Sequence, residues 1–244
     1  MFSTAVRWQL MDSNPCGRVT PPKLDETDVE FLDEGQIASL LEALPDAPTQ
    51  LSVIVQLALF TGARRGEICG LRWADIDLDD ATITVNKGYD FRAKKVKITK
   101  TPAGVRVVSI PKVLVDYLRT QQDGCFYVLH NHKGQQMTEQ SWKRLWESYM
   151  RDLNVKYGYD GQQNKNRPGG LPMRIDTFTP HQLRHTFCTL MYFAGVDVMT
   201  ARDQMGHKDI SVTLGIYTAL DKKFKKKKIN RLDTYLKKSC TQSG

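Results

Sequence analysis

The sequence lacks the features that mark secreted, membrane and disulfide-stabilised proteins. Its 244 residues include no apolar run close to the roughly 18 residues of a membrane span, and residues 1–11 lack the apolar stretch of a signal peptide. The cysteines are odd in number and form no Cys-x-x-Cys pair, which argues against a disulfide framework or a thiolate metal site. These absences predict a cytosolic protein whose thiols are reduced: Cys16, Cys69, Cys125, Cys188 and Cys240.

Positive charge is concentrated near the end of the chain. The net charge is +8, and six lysines lie among the seven residues 222–228. A lysine run is commonly a solvated tail, and the alternative is a segment that binds the phosphates of a nucleic acid. We expect residues 222–244 to be a basic tail that serves one of these two purposes.

Composition divides the rest of the chain into three parts. Residues 1–15 carry apolar side chains at helical spacing, and Asn14-Pro15 disfavours further helix, so this part resembles the end of a helix from a preceding domain. Residues 16–30 have the glycine, proline and charged residues of a linker. Residues 31–221 contain the regular patterns of one folded domain.

The patterns within residues 31–221 predict an α+β fold, mainly helical, with a small antiparallel β-sheet on one side. Branched apolar residues mark the strands, and Pro102-Ala103-Gly104 marks a turn between two of them. Capping residues and apolar side chains three or four apart mark the helices. Strands are expected at Ile83–Val85, Val96–Lys100 and Val105–Ile110, a short strand or buried segment at Cys125–Leu129, a flexible loop at 158–172, and helices after Asp33, Pro48, Arg65, Pro111, Thr138, Pro180, Val198 and Ser211.

The helix that begins at Thr179-Pro180 carries a histidine and an arginine on one side. His181 and Arg184 are three residues apart and lie on the flank of the apolar stripe, so both side chains can converge on one anion. On this helix alone, a solvent-exposed pair without function is the simpler interpretation.

A metal site on the same helix is a competing interpretation. His181 and His185 are four residues apart, which is the spacing of zinc ligands on a helix. The general base of a zinc hydrolase should follow the first histidine, but Gln182 stands there, and the cation of Arg184 would repel Zn²⁺. His130 and a second histidine at position 132 lie in a predicted turn, and we expect no metal site there either.

A second basic segment lies at a predicted turn between helices, in Thr61–Glu67. It contains Arg64 and Arg65, and Glu67 is close enough in sequence to hold one guanidinium by a bidentate bond. Glycines at positions 62 and 66 are also consistent with nothing more than a tight turn.

Four short segments in sequence order resemble the signature motifs of the tyrosine recombinase, or phage integrase, family. They are Thr61–Glu67, Thr179–His185, Met205–His207 and Ile216-Tyr217. Each is weak alone, but their order and spacing together are specific. The resemblance covers residues 31–221 and is closest to the integrases of phages and conjugative transposons, and it implies that residues 1–15 end that family's core-binding domain.

The resemblance implies a site-specific recombinase that breaks and rejoins DNA through a 3′-phosphotyrosine, with chemistry like that of type IB topoisomerases. It assigns Tyr217 as the nucleophile and His181 as the general base. Arg64 and Arg184 would clamp the scissile phosphate, and His207 would donate a hydrogen bond to it.

The resemblance also assigns supporting roles. Lys100, in a β-hairpin, would protonate the leaving 5′ oxygen, and Lys97 and Lys95 are alternative candidates for this general acid. If they do not take that role, Lys95 and Lys97 are expected to contact DNA, as is Arg65. The expected roles of Glu67 and His185 are to support Arg64 and to stabilise the fold. No cofactor or metal is expected, because two arginines take over the charge that a metal would supply.

The partner implied by the resemblance is double-stranded DNA, bound by a homotetramer of the full-length protein. An excisionase or a host DNA-bending protein is a further implied partner, and no membrane is expected. The location would be the cytoplasm of a bacterial cell that carries the phage or mobile element. Two alternatives remain: a basic DNA-binding module that has lost catalysis, and a zinc hydrolase, which Gln182 disfavours.

Overall fold

Helices dominate the computed structural model, which describes residues 2–19, 31–98, 105–157 and 178–222. None of the helices within those ranges is both long enough and apolar enough to cross a membrane. The predicted fold class, mainly helical with small antiparallel sheets, is confirmed. The helices are α1 (Phe2–Arg7), α2 (Glu34–Ala43), α3 (Thr49–Thr61), α4 (Arg65–Gly70), α5 (Lys112–Thr120), α6 (Glu139–Tyr157), α7 (Pro180–Phe193), α8 (Val198–Met205) and α9 (210–222).

The described strands form two antiparallel sheets rather than the single sheet expected. One sheet has the order β1 (Ile76–Asp77), β2 (Thr82–Val85) and β5 (Arg106–Ser109). The other is a hairpin of β3 (Lys87–Asp90) and β4 (Lys95–Ile98). The sequence did not predict β1 or β3, because β1 has two residues and β3 lacks the alternation of buried and exposed side chains.

Helix α3 forms the centre of the core. Every side chain from Leu51 to Leu59 except Gln56 is buried, as expected of a helix that is apolar on nearly all sides. It packs most extensively against α7 and also contacts α4, α5 and α6. The predicted segment after α5 is buried at Val128 and Leu129, although it forms only an isolated bridge between Arg72 and Tyr127.

The end of α3 is a closely packed turn. Gly62 ends the helix with a φ of 61°, a left-handed conformation that glycine adopts without strain. A Cβ atom at this position would lie 2.6 Å from the Phe187 ring and 2.7 Å from the Met205 sulfur. The turn therefore holds the start of α4 directly against α7 and the end of α8.

The first helix is shorter than the sequence predicts. Helix α1 ends at Arg7, and Gln9 adopts a φ of 57°, which breaks the helix well before Asn14. Asn14 instead caps a short 3₁₀ turn, accepting a hydrogen bond from the backbone N–H of Cys16 at 3.0 Å. The helical spacing of the apolar residues predicted too long a helix, because this spacing does not reveal a helix break before Pro15.

Candidate active site

Arg64 lies in the turn between α3 and α4 and is fixed at three atoms. Its backbone N–H donates to Glu67 Oε2 at 2.8 Å, and its guanidinium donates from Nη1 to Glu67 Oε1 at 2.9 Å. The Nη2 atom donates to the carbonyl oxygen of Gly206 at 3.1 Å. The side chain is still 45% exposed, so a ligand can reach the guanidinium.

Arg184 lies on α7 and is buried, with only 2% of its surface exposed. Its Nη2 atom donates to the carbonyl oxygen of Met205 at 2.6 Å, and Nη1 donates to the carbonyl oxygen of Gly62. The interpretation of this arginine as part of an exposed pair is wrong. The α3–α4 turn and the end of α8 cover this flank of α7, and a single helix cannot reveal that.

The two guanidiniums meet at the C-terminal end of α8. They donate to the carbonyl groups of consecutive residues, Met205 and Gly206, where the helix dipole favours positive charge. Burial, followed by the charge of Arg64, lowers the pKa of Arg184 to about 9, so this guanidinium stays protonated at neutral pH. An anion at this point would be attracted by two preorganised cations.

A third arginine, Arg106 on β5, completes the cluster and was missed in the sequence. Its side chain is 7% exposed and binds Glu67 through two hydrogen bonds of 3.1 and 2.9 Å, while Nε donates to the carbonyl oxygen of Gln204 at 3.0 Å. The bidentate bond predicted for Glu67 is therefore made to Arg106, and Arg64 shares the same carboxylate. The available signal was a basic residue at an inward-facing position of an alternating strand.

Glu67 carries the negative charge that holds these arginines. Burial alone would raise the pKa of this carboxyl group, but the hydrogen bonds and charges of Arg106 and Arg64 outweigh it and lower the pKa to about 2. The carboxylate stabilises two guanidiniums at once, which leaves an excess of positive charge around Arg184.

Acid should destabilise the fold through Glu67. Because its pKa is lowered from 4.5 to about 2, the stabilisation is complete above pH 4.5 and is lost as pH falls towards 2. The full effect is about 3 kcal/mol. Urea unfolding of the wild type at pH 7 and pH 3 should show about 2 kcal/mol of this loss, and Glu67→Gln should abolish that part of the pH dependence.

Glu139→Gln is the matched control, because Glu139 makes only an exposed ion pair with Arg65 at 3.4 Å. It should keep the pH dependence of the wild type. Equal pH dependence in the wild type and Glu67→Gln would contradict the assignment of this charge to Glu67.

Two histidines on α7 lie beside the arginines. The rings of His181 and His185 are 4.6 Å apart and nearly perpendicular. Burial, then the charges of Arg184 and Arg64, lowers the pKa of His181. Burial, then His181 and Arg184, lowers the pKa of His185 to about 4. Both imidazoles are therefore neutral at pH 7, the state in which a histidine can accept a proton.

His207 follows the carbonyl groups that bind the two arginines. Its Nδ1 atom lies 2.8 Å from the hydroxyl oxygen of Thr213, a fully buried residue on α9. Burial, then Arg184 and Arg64, lowers the pKa of His207 to about 4. When the Thr213 hydroxyl donates to Nδ1, the neutral ring carries its proton on Nε2 and can donate to an anion. The sequence did not single out Thr213, because a threonine in a helix carries no motif of its own.

Tyr217 lies one helical turn after Thr213 on α9. Its hydroxyl donates to the carbonyl oxygen of Val196 at 3.1 Å, and its ring packs edge to face on Tyr192 at 5.2 Å between centroids. Burial raises the pKa of Tyr217, and the nearby Cys188 and Asp197 add to the rise. The structure thus places this hydroxyl on the α7–α8 connection and keeps it protonated.

The predicted basic residues near the hairpin are only partly described. Lys100 lies outside the described residues. Lys95 and Lys97 are exposed on β4, where Lys97 forms an ion pair with Asp90. Arg65 is exposed, with its guanidinium 4.0 Å above the Phe91 ring.

The hairpin that carries these lysines packs on the helix that follows Arg64. A Cβ atom at Gly66 would lie 2.9 Å from the carbonyl oxygen of Tyr89 on β3. Such close backbone contact sets the hairpin beside the arginine cluster.

Together these residues form a positively charged site for an anion. Arg64 and Arg106 share the Glu67 carboxylate, Arg184 adds a third guanidinium, and the charge of the arginines acts on two neutral histidines, His181 and His207. Such a site can stabilise negative charge on an oxyanion and exchange protons with it.

Comparisons with known proteins agree on one family. The profile of the phage integrase family matches residues 30–223. A XerC-like tyrosine recombinase of Caldanaerobacter subterraneus subsp. tengcongensis is 29% identical, covering 96% of this chain and 62% of that protein. The tyrosine recombinase XerA of Thermococcus kodakarensis is 30% identical, covering 82% and 62%. The ICEBs1 integrase of Bacillus subtilis is 25% identical, covering 97% and 63%. This chain therefore spans about three fifths of the length of these relatives.

Solved structures share the fold. The Tn1549 transposon integrase in complex with a circular intermediate DNA superposes with a TM-score of 0.68 at 22% identity, covering 88% of this chain and 70% of that one. The XerA recombinase superposes with a TM-score of 0.56 at 25% identity, covering 85% and 66%.

Proposed function

The chain belongs to the phage integrase family, and we propose on this basis that it is the catalytic domain of a site-specific tyrosine recombinase. It would cleave and rejoin DNA to integrate or excise a mobile element. Its site of action would be DNA in the cytoplasm of a bacterial cell.

The observation that carries the proposal is the pair of guanidiniums on consecutive carbonyl groups. Arg64 and Arg184 donate to the carbonyl groups of Gly206 and Met205, and the charge around them is more positive than negative. In phosphoryl transfer, negative charge builds on the non-bridging oxygens, and fixed cations lower the barrier without reorganising. A phosphodiester bound between these arginines fits that requirement.

The covalent step would proceed by attack of the Tyr217 oxygen on the phosphorus atom. A bond forms between that oxygen and phosphorus, and the bond to the 5′ oxygen breaks, leaving a 3′-phosphotyrosine. The proton of Tyr217 passes to neutral His181, and the 5′ oxygen takes a proton from Lys100. Rejoining reverses these steps, so the energy of the broken bond is conserved and no ATP is consumed.

His207 and the support of Glu67 complete the proposed mechanism. The Nε2 proton of neutral His207 would donate to a phosphate oxygen, because the Thr213 hydroxyl occupies Nδ1. Glu67 and Arg106 would keep Arg64 in the orientation that the phosphate needs.

Tyr217 must leave the Val196 carbonyl before it can attack. In the position seen here burial opposes its ionisation, whereas near Arg64 and Arg184 the positive charge would favour the phenolate. DNA binding is therefore expected to release the tyrosine from this hydrogen bond.

Partners are proposed from the relatives. Lambda integrase forms a dimer on a core-site DNA, and XerH recombinase binds a palindromic difH substrate in a post-cleavage complex. We expect this chain to bind double-stranded DNA and, as part of a full-length protein, to act as a homotetramer. An excisionase or a DNA-bending protein would assist it.

A covalent adduct tests this function against a DNA-binding module that has lost catalysis. Incubation with a nicked suicide substrate, from which the 5′ fragment diffuses away, should trap protein on DNA. The adduct should survive denaturing electrophoresis. A chain that shifts DNA in a native gel but forms no adduct on cognate DNA would support the alternative.

Cleavage should be insensitive to chelators. The two arginines supply the charge, and the Glu67 carboxylate, shared by two guanidiniums, is a poor ligand for a metal. The adduct yield in EDTA should match that in its absence. Loss of cleavage in EDTA by a chain that circular dichroism shows to be still folded, with recovery in Zn²⁺ or Mg²⁺, would overturn the proposed mechanism.

A further inference from the structure

A second group of reactive side chains lies in the connection between α5 and α6. Asp123, Cys125 and His130 present a carboxylate oxygen, a sulfur and an imidazole nitrogen, and all three atoms lie within 4.8 Å of one another. The backbone N–H of Cys125 donates to Oδ1 of Asp123 at 3.0 Å, and this bond holds the carboxylate in place. The His130 side chain is only 14% exposed.

The hydrogen bonds around His130 orient a lone pair towards the carboxylate. Its Nδ1 atom lies 2.9 Å from the carbonyl oxygen of Asn131, which can only accept, so Nδ1 carries a proton. In the neutral ring Nε2 is then an acceptor, yet it faces the carboxylate oxygen of Asp123 at 2.7 Å. Two acceptors at this distance repel each other unless a proton lies between them, or unless they move apart to admit a metal ion.

Gln50 favours the lone pair over the proton. Its Oε1 atom accepts from the backbone N–H of His130 at 2.8 Å, which fixes the orientation of the amide. The amide nitrogen of Gln50 is consequently the atom that lies 3.3 Å from Nε2, and it is a donor. A donor next to Nε2 suits an unprotonated nitrogen, and an Nδ1–H bonded to a backbone carbonyl is the usual support of a histidine that binds a metal.

The third ligand determines the class of metal. Cys125 supplies sulfur, and a set of one thiolate, one imidazole and one carboxylate suits Zn²⁺ rather than Mg²⁺ or Ca²⁺. In a tetrahedral zinc site neighbouring ligand atoms are about 3.2–3.8 Å apart. Binding of zinc would require the 2.7 Å between His130 Nε2 and Asp123 Oδ2 to widen to that range.

We propose that Asp123, Cys125 and His130 form a Zn²⁺ site, with water as the fourth ligand. This proposal runs against the expectation from the sequence of no metal site at His130, because these residues match no common zinc spacing and Cys125 has no cysteine partner nearby in the sequence. The site lies at the start of α3, where Gln50 is, whereas the arginine cluster lies beyond its end at Gly62. Twelve helical residues separate the two, about 18 Å, so the proposed metal takes no part in the DNA chemistry.

Bound zinc would stabilise the α5–α6 connection. That connection already contacts the helix after Arg64, because the side chain of Gln136 donates to the carbonyl oxygen of Cys69 at 2.8 Å. Tyr127 also forms a bridge with Arg72. A metal that ties 123–130 together should therefore raise the stability of the whole domain.

Cobalt titration tests the site directly. The full chain, freed of metal with a chelator and kept reduced, is titrated with Co²⁺ and followed by absorption. We expect one equivalent to produce the thiolate-to-cobalt charge-transfer band and the intense visible bands of a tetrahedral ion, and Zn²⁺ to displace them. Zn²⁺ at a hundredfold excess over its Kd should raise Tm by about 5–10 °C.

Variants identify the ligands. Cys125→Ser should abolish the charge-transfer band, and Asp123→Asn should weaken Zn²⁺ binding at least tenfold. Cys16→Ser is the matched control, because Cys16 is an exposed free cysteine outside the cluster, and it should behave as the wild type. Far-UV circular dichroism confirms that each variant is folded.

Two results would overturn the proposal. One is a wild type without the charge-transfer band and without a Zn²⁺-dependent rise in Tm, and the other is the same band in Cys125→Ser. In either case the Asp123–His130 contact is an ordinary hydrogen bond that holds no metal. Both measurements are made without DNA, so they are independent of the recombinase function.

Discussion

Phenylalanine at position 217 is expected to abolish the covalent DNA adduct while leaving DNA affinity nearly unchanged. The substitution removes only the Tyr217 hydroxyl, the atom proposed to attack phosphorus, and keeps the ring that packs on Tyr192. It also leaves the Val196 carbonyl without its donor, which should lower stability by about 1 kcal/mol. Adduct yield on a suicide substrate and fluorescence anisotropy measure the two effects.

Tyr192→Phe is the matched control for this variant. Tyr192 contacts the same ring and its hydroxyl donates to Asp221 at 2.5 Å, so the loss perturbs the same region without removing the proposed nucleophile. This control should still form the adduct. If Tyr217→Phe gave the same denaturant-resistant band as the wild type, another residue would be the nucleophile.

Loss of either arginine of the proposed clamp should reduce cleavage by two to three orders of magnitude or more. Arg64→Ala and Arg184→Ala each remove a fixed cation from the site of developing negative charge, a change worth about 3 kcal/mol in activation free energy. Single-turnover cleavage at saturating protein separates this loss from weaker DNA binding.

The two arginine variants should differ in stability. Arg184 is buried and donates to the carbonyl groups of Gly62 and Met205, so Arg184→Ala leaves buried acceptors unpaired and lowers the free energy of unfolding. Arg64 is 45% exposed, and its replacement should cost less stability. A cleavage defect in Arg64→Ala at full stability is therefore the clearer test of the chemistry.

Arg119→Ala provides the control for a general loss of positive charge. Arg119 is 52% exposed and binds Asp79 and the Leu78 carbonyl, in a different part of the fold. It should cleave at the rate of the wild type. Equal rates in Arg64→Ala and Arg119→Ala would refute the phosphate clamp.

The sequence predicted those elements that local chemistry determines. Thr179 and Gln182 form the reciprocal capping bonds at the start of α7, and Gly62 and Gly206 end α3 and α8 in the left-handed conformation. Each of these signals lies within a few residues of the boundary that it marks. Helix starts and ends could therefore be assigned before any contact between elements was known.

Features that depend on distant contacts were not predictable in the same way. The burial of Arg184 depends on the α3–α4 turn and on α8, and the bond between Arg106 and Glu67 joins residues 39 positions apart in the sequence. Strand β3 lacks an alternating pattern, and its place is set by its backbone contact with α4. The motifs thus identified residues of the candidate site, but not the hydrogen bonds that hold these residues in position.

Helix α8 connects the proposed nucleophile, Tyr217, to the proposed phosphate clamp of Arg64 and Arg184. The Val196 carbonyl that holds Tyr217 lies two residues before this helix, and the Met205 and Gly206 carbonyls that hold the arginines lie at its end. Eight helical residues, about 12 Å long, behave as a rigid rod, so displacement at one end is transmitted to the other. A movement of α8 that releases Tyr217 would also shift the guanidiniums of Arg64 and Arg184. A protomer in which only one of these two changes has occurred would therefore be short-lived. Activation should accordingly be switch-like, with a single kinetic phase for tyrosine release and arginine alignment.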